Sequence, residues 1–137
     1  MTAQTQLGST FNMQQLPFFA TDIPNANGTF RVTADVNEYV ALYDGSIIGG
    51  GVLLNDVLTG GTLTLRATIN GTACPAFETT LEVGQQTATA RQDARRAGFA
   101  FRAGDRLGLT WVKAGTVAPT TRDATAALIV LYENVRY

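Results

Sequence analysis

An all-β sandwich or barrel of about eight to nine short strands is the fold this sequence predicts. Three observations carry that reading. In residues 62–69, Leu63, Leu65, Ala67 and Ile69 point one way while Thr62, Thr64, Arg66 and Thr68 point the other, the period-two pattern of a strand with one buried face. Asn70-Gly71 follows at once and supplies the two positive-φ residues of a tight hairpin turn. Similar alternating segments recur between glycine-rich turns along the chain, and the one helical candidate, 89–97, lacks an apolar stripe.

The elements follow in order. Residues 1–16 are rich in Thr, Gln, Ser and Asn, carry isolated Leu7, Phe11 and Met13, and show no sustained period. They read as an extended N-terminal arm, either a loose tail or one that orders by lying on a neighbouring subunit, and its removal is expected to leave the folded domain of 17–137 intact. Leu16-Pro17-Phe18-Phe19 suits a short edge segment, where proline is tolerated. Turn chemistry at 23–28 precedes candidate strands at 29–34 and 38–43. Residues 46–54 are ambiguous, because Gly49, Gly50 and Gly51 weaken a strand and mark a bulge or a close backbone approach. As a phosphate loop the run fails on context: neither Lys-Ser/Thr nor a helix follows it.

After the hairpin, 76–83 forms a strand, Gly84-Gln85-Gln86 breaks it, and 87–91 alternates weakly. Phe99 and Phe101 are two apart and share a face, and the turn at 103–106 leads to a strand with Leu107, Leu109 and Trp111 on one side. The last strand, 125–132, is nearly continuous in apolar residues, as expected where both faces are covered.

At 137 residues the chain makes one domain, large enough to bury a core without metal or disulfide staples. Its 15% charged residues fall below the roughly 25% of an average soluble domain, which suits a surface buried against partners. A net charge of −1 lacks the basic footprint of a nucleic-acid binder. No apolar run approaches the length of a membrane-spanning helix. Met1-Thr2-Ala3-Gln4-Thr5-Gln6 has neither a basic start nor an apolar stretch, so synthesis in a host cytoplasm is expected. Cys74, the single cysteine, reads as a small buried apolar residue.

Little in the chain suggests chemistry. There is no histidine, which removes the commonest general base, the partner of nucleophilic Ser and Cys, and the commonest transition-metal ligand. Asp44, Asp56 and Asp105 each sit beside glycine or asparagine or in a turn, where aspartate bonds to backbone. No Asp-x-Asp-x-Asp-Gly loop offers a calcium site. The expectation is a non-enzyme with no catalytic residue, cofactor or metal. Asn27-Gly28-Thr29 and Asn70-Gly71-Thr72 match the glycosylation pattern but read as turns. One charge cluster stands out: Arg91, Arg95, Arg96, Arg102 and Arg106, five arginines against Asp93 and Asp105 within sixteen residues. It suits either two-point recognition of an acidic partner, with Arg95 and Arg96 as contacts, or a solvated loop and strand edge.

From Asp44 onward the order of features resembles a jelly-roll family of tailed-phage structural proteins and, more distantly, the C1q and tumour-necrosis-factor heads. The likeness rests on Asp44-Gly45-Ser46-Ile47-Ile48-Gly49-Gly50, on Thr59-Gly60-Gly61-Thr62-Leu63-Thr64-Leu65 running into Asn70-Gly71, on the 101–109 segment around Ala103-Gly104-Asp105, and on the terminal strand. The resemblance implies a jelly-roll β-sandwich acting as a homotrimer. It implies a capsid decoration protein bound to the major capsid protein on the virion surface, with arm residues Leu7, Phe11 and Met13 as apolar anchors. The alternative is a carbohydrate- or receptor-binding head of a tail appendage, read by exposed aromatics such as Tyr39, Tyr43 or Trp111. With no collagen-like stalk or fibre repeat before the domain, a compact capsid-surface subunit is expected. The resemblance implies no active site.

Overall fold

The computed structural model describes residues 10–91 and 100–135, with the side chains of 13–74, 78–91 and 100–133. Ten strands appear among them, in chain order β1 (Thr10–Ala20), β2 (Gly28–Thr29), β3 (Glu38–Val40), β4 (Gly45–Leu54), β5 (Gly60–Ile69), β6 (Thr72–Leu81), β7 (Thr87–Arg91), β8 (Ala100–Phe101), β9 (Arg106–Ala118) and β10 (Ala124–Val135). They form two antiparallel sheets. The first has the order β1-β10-β4-β7, with β8 also on β4; the second has β2-β9-β5-β6, with β3 also on β9. Since β7 and β8 share one flank of β4 and β2 and β3 share one flank of β9, the ten segments fill eight positions, four to a sheet. The chain changes sheet at every step between positions except the β5–β6 hairpin, which is the winding of a jelly roll.

Side-chain alternation explains why the sheets meet. Leu63, Leu65 and Ala67 of β5 and Leu107, Leu109 and Trp111 of β9 face Ile47, Val52 and Leu54 of β4 and Leu128 and Val130 of β10 in one continuous core. Cys74 lies in the same core, and burial pushes its thiol up from the ordinary range. The β5–β6 turn is as the sequence predicts, with φ of 54° at Asn70 and 81° at Gly71. Gly28 lies against Trp111: a Cβ there would stand 2.2 Å from Trp111 Cζ2, so the indole leaves no room for a side chain. Trp111 Nε1 donates to Ala26 O at 2.8 Å and the ring meets Phe30 edge-on.

Several boundaries differ from the sequence reading, each for a physical reason. The boundary expected after residue 16 falls inside β1, which pairs with β10 from Thr10↔Val135 to Ala20↔Ala124 across a bulge in β10, where residues 133 and 134 oppose Phe11. The Asn and Gln residues that mask this strand are tolerated because β1 is an edge, and only Leu16, Phe18 and Ala20 are required inside. The 29–34 and 38–43 segments shorten to β2 and β3, because Val32 and Thr33 both donate to Val36 O in an intervening turn. The glycine run of 46–54 is a continuous strand carrying the anticipated bulge: Ile129 pairs with Gly49 and Val130 with Ile47, leaving Ile48 as the extra residue. Phe99 lies outside the described residues, while Phe101 is buried.

The two faces of β5 differ in energetic weight. Leu65→Ala is expected to lower stability by about 2–5 kcal/mol, whereas Thr64→Ala, which loses only the cross-strand contact to Thr80, costs about 0.2–1 kcal/mol. Urea titrations read both, as shifts in midpoint at unchanged slope.

Candidate assembly interface

Strand β10 directs Ala124, Ala126, Leu128, Val130 and Tyr132 into the core, and all five are buried. Its other face carries Ala127, Ile129 and Leu131, and nothing among the described residues packs over them as a layer. All three are half-buried, Ser46 and Gly49 on the same face are buried, and the register shows what stands beside them. Gln15, Ile129, Gly49 and Arg91 form one row across the sheet and Pro17, Ala127, Gly51 and Thr89 the next.

Glycine at 49 and 51 removes two side chains from the middle of this face. The result is a trough along β4, banked by β10 on one side and β7 on the other, made of two adjoining concavities of about 640 and 400 Å³ that share Gly51, Thr89 and Ala127. Met13, 65% exposed, stands at one end, and Leu53, 48% exposed, at the other. Among the described residues, Arg91 is the one charged residue in the lining. The outer face of the second sheet is chemically the opposite: Thr64 and Thr80 bond through their hydroxyls at 3.0 Å, and Arg66 Nε lies 2.9 Å from Glu78 Oε1. That face is polar, as a solvated sheet is. The first sheet presents a shallow surface of mainly small and apolar residues.

Of the residues singled out from sequence, Met13 lies at this trough. Leu7, Arg95 and Arg96 fall outside the described residues, as does the side chain of Phe11, whose backbone belongs to β1. The arginine cluster divides between sheets: Arg91 lines the trough, while Arg106 begins β9 and stands 3.6 Å from Glu38. Sequence reasoning missed Gly49, Gly51, Ala127 and Ile129 as one surface. The signal was present in β10, where the residues between the buried positions are themselves apolar.

In fold the chain is similar to a chain of the "Cyanophage Pam1 capsid asymmetric unit": the match covers 92% of this chain and 86% of that one, at TM-score 0.50 and 14% identity. The likeness is one of fold. No family model matches the sequence, and no curated protein does.

The aromatics proposed as sugar readers are dispersed. Trp111 belongs to the core, the Tyr39 hydroxyl donates to Pro17 O while its ring meets Phe18 edge-on, and Tyr43 packs edge-on to Tyr132. The three aspartates hold turns. Asp44 Oδ1 accepts from Ala103 N at 2.9 Å and Asp56 Oδ1 from Val57 N at 2.8 Å. Asp105 accepts from Arg102 N at 2.8 Å and Asn70 Nδ2 at 3.0 Å. Among the described residues no three acidic or thiol groups gather to hold a metal ion.

The Arg102 amide, then the Asn70 amide, hold the Asp105 carboxyl below its usual range. A carboxyl depressed in the folded state stabilises it fully above the unfolded value of about 4 and loses that contribution as pH falls through the folded value. Wild-type melting temperature should accordingly fall more steeply than that of Asp105→Asn as pH drops below about 4, a difference that calorimetric scans from pH 7 to 3 would detect.

Proposed function

We propose that this protein is a structural virion component, a phage capsid decoration protein. It assembles as a homotrimer on the capsid surface, is made in the host cytoplasm, and binds the major capsid protein. The open apolar face of the first sheet carries the reading. A jelly roll that buries one face of each sheet against the other has no internal need for Ala127, Ile129 and Leu131 on its outside, and a partner surface supplies one. The likeness in fold to a chain from a phage capsid asymmetric unit supports the same reading. The binding role, without catalysis, fits a chain whose carboxylates are engaged in turns.

In this reading the N-terminal segment and the open face are the two contact regions. Leu7, Phe11 and Met13 supply apolar anchors, and Arg95 and Arg96 face carboxylates of the partner. Truncation to test the segment belongs at residue 9, because β1 begins at Thr10 and Leu16 is core.

Light scattering on the purified protein should give three times the 14.6 kDa of one chain. Ile129→Lys, which places a second cation beside Arg91 on the open face, should weaken association at least about tenfold while leaving the domain folded. Removing residues 1–9 should leave circular dichroism unchanged and abolish binding to undecorated capsids. A monomer that also ignores capsids would overturn the proposal.

A further inference from the structure

The trough fits one extended chain better than it fits a flat subunit face. Its banks on β10 and β7 flank β4 on either side, two interstrand spacings apart, or about 9–10 Å, which is the width of a single strand with its side chains. Its floor is crowded for a side chain of its own, since a Cβ at Gly49 or Gly51 would stand 3.1 Å from Ala90 O or Ala88 O. From Gly49 to Leu53 it runs four residues, about 13 Å.

An occupant of matching chemistry stands at the start of the same chain. Residues 1–9 hold no ionisable side chain, in keeping with a lining in which Arg91 is the one charge among the described residues. When extended they place Met1, Ala3, Thr5, Leu7 and Ser9 on one side, small residues with Leu7 as the aliphatic anchor in their midst. They reach about 30 Å, enough to span the trough. The molecule's own segment is badly placed to do so. It leaves Thr10 five residues above the row of Gln15, Ile129 and Gly49, and two strands to the side of β4. That diagonal of about 19 Å consumes roughly six residues, so Leu7 falls short of the glycine floor.

We propose that residues 1–9 of a neighbouring copy lie in the trough, with Leu7 over Gly49 and Gly51. The inference rests on the assembly reading above and specifies how copies are joined: each subunit lends its N-terminal segment to the next and covers the next one's open face. A segment exchanged in this way closes a ring of copies, and each seated segment holds two subunits together.

Co-expression of two single variants, Leu7→Cys and Thr89→Cys, tests it under mild oxidation. Thr89 lines the trough on β7, and Cys74, common to both chains, is buried, so the unsubstituted protein reports the background. A disulfide between separate chains should form at least about ten times faster than in the pairing of Leu7→Cys with Thr64→Cys, which lies on the opposite sheet. The doubly substituted chain should give a covalent ladder ending at the closed oligomer. Purely intrachain cross-linking in that double variant would overturn the proposal, as would cross-linking no faster than the control. Light scattering and capsid binding on the same samples separate the two readings: an oligomer without the cross-link, or a monomer that still binds capsids, overturns the exchange and leaves the capsid reading standing, whereas a monomer that also ignores capsids overturns both.

Discussion

Mutual burial of one face of each sheet is the constraint on which this structure depends. Ile47, Leu54, Leu128 and Val130 on one side and Leu63, Leu65, Leu107 and Leu109 on the other are effectively removed from water. At about 25 cal/mol per Å² of apolar surface, such residues supply most of the favourable free energy of folding. Because side chains alternate along a strand, that demand sets the register of β4, β5, β9 and β10, and a slip of one residue would turn every leucine outward. The loops answer to the same constraint. At one end Ile23 donates to Arg122 O and Asn55 to Asp123 O; at the other Ala41 donates to Asp105 O and Asn70 to Arg106 O, so turns that cross between sheets are tied to each other.

With the inner faces committed, the outer faces are free to differ, and they do. The second sheet pairs threonine with threonine and arginine with glutamate. The first sets glycine beside alanine and isoleucine and leaves a trough. Glycine inside a strand costs conformational entropy and contributes no packing, a net loss unless the space is used. Here the space lies on the outer face of the first sheet, beside Ile129 and Ala127. The bulge at Ile48 belongs to the same feature, since it shifts the glycines into register with Ile129 and Ala127.

Much of the fold was legible because local patterns and the core agree. The alternation at 62–69, the Asn-Gly turn and the stripe of Leu107, Leu109 and Trp111 all describe how a segment meets the opposite sheet, and each took the predicted role. Residues 10–16 were not legible as a strand. An edge strand shows only one buried row, and polar residues on its open side blur the period. The candidate site was legible in fragments: Met13 as an exposed apolar residue, the glycines as an irregular strand, Arg91 within a cluster. Nothing in their spacing says that they share a surface. Arg91, Gly49 and Ile129 meet only because β7 and β10 flank β4.

By itself the sequence determined the class of fold, the turn positions and which side of each long strand faces inward, because a period of two and a positive-φ turn are properties of a few neighbouring residues. The tertiary structure alone decided the rest. Pairing β1 with β10 joins the two ends of the described chain, and no local signal encodes a partner so distant. Whether the second face of an apolar strand is covered is likewise a property of what lies above it. The run at 125–132 reads the same whether or not its second face is covered, and only the positions of the other elements decide which.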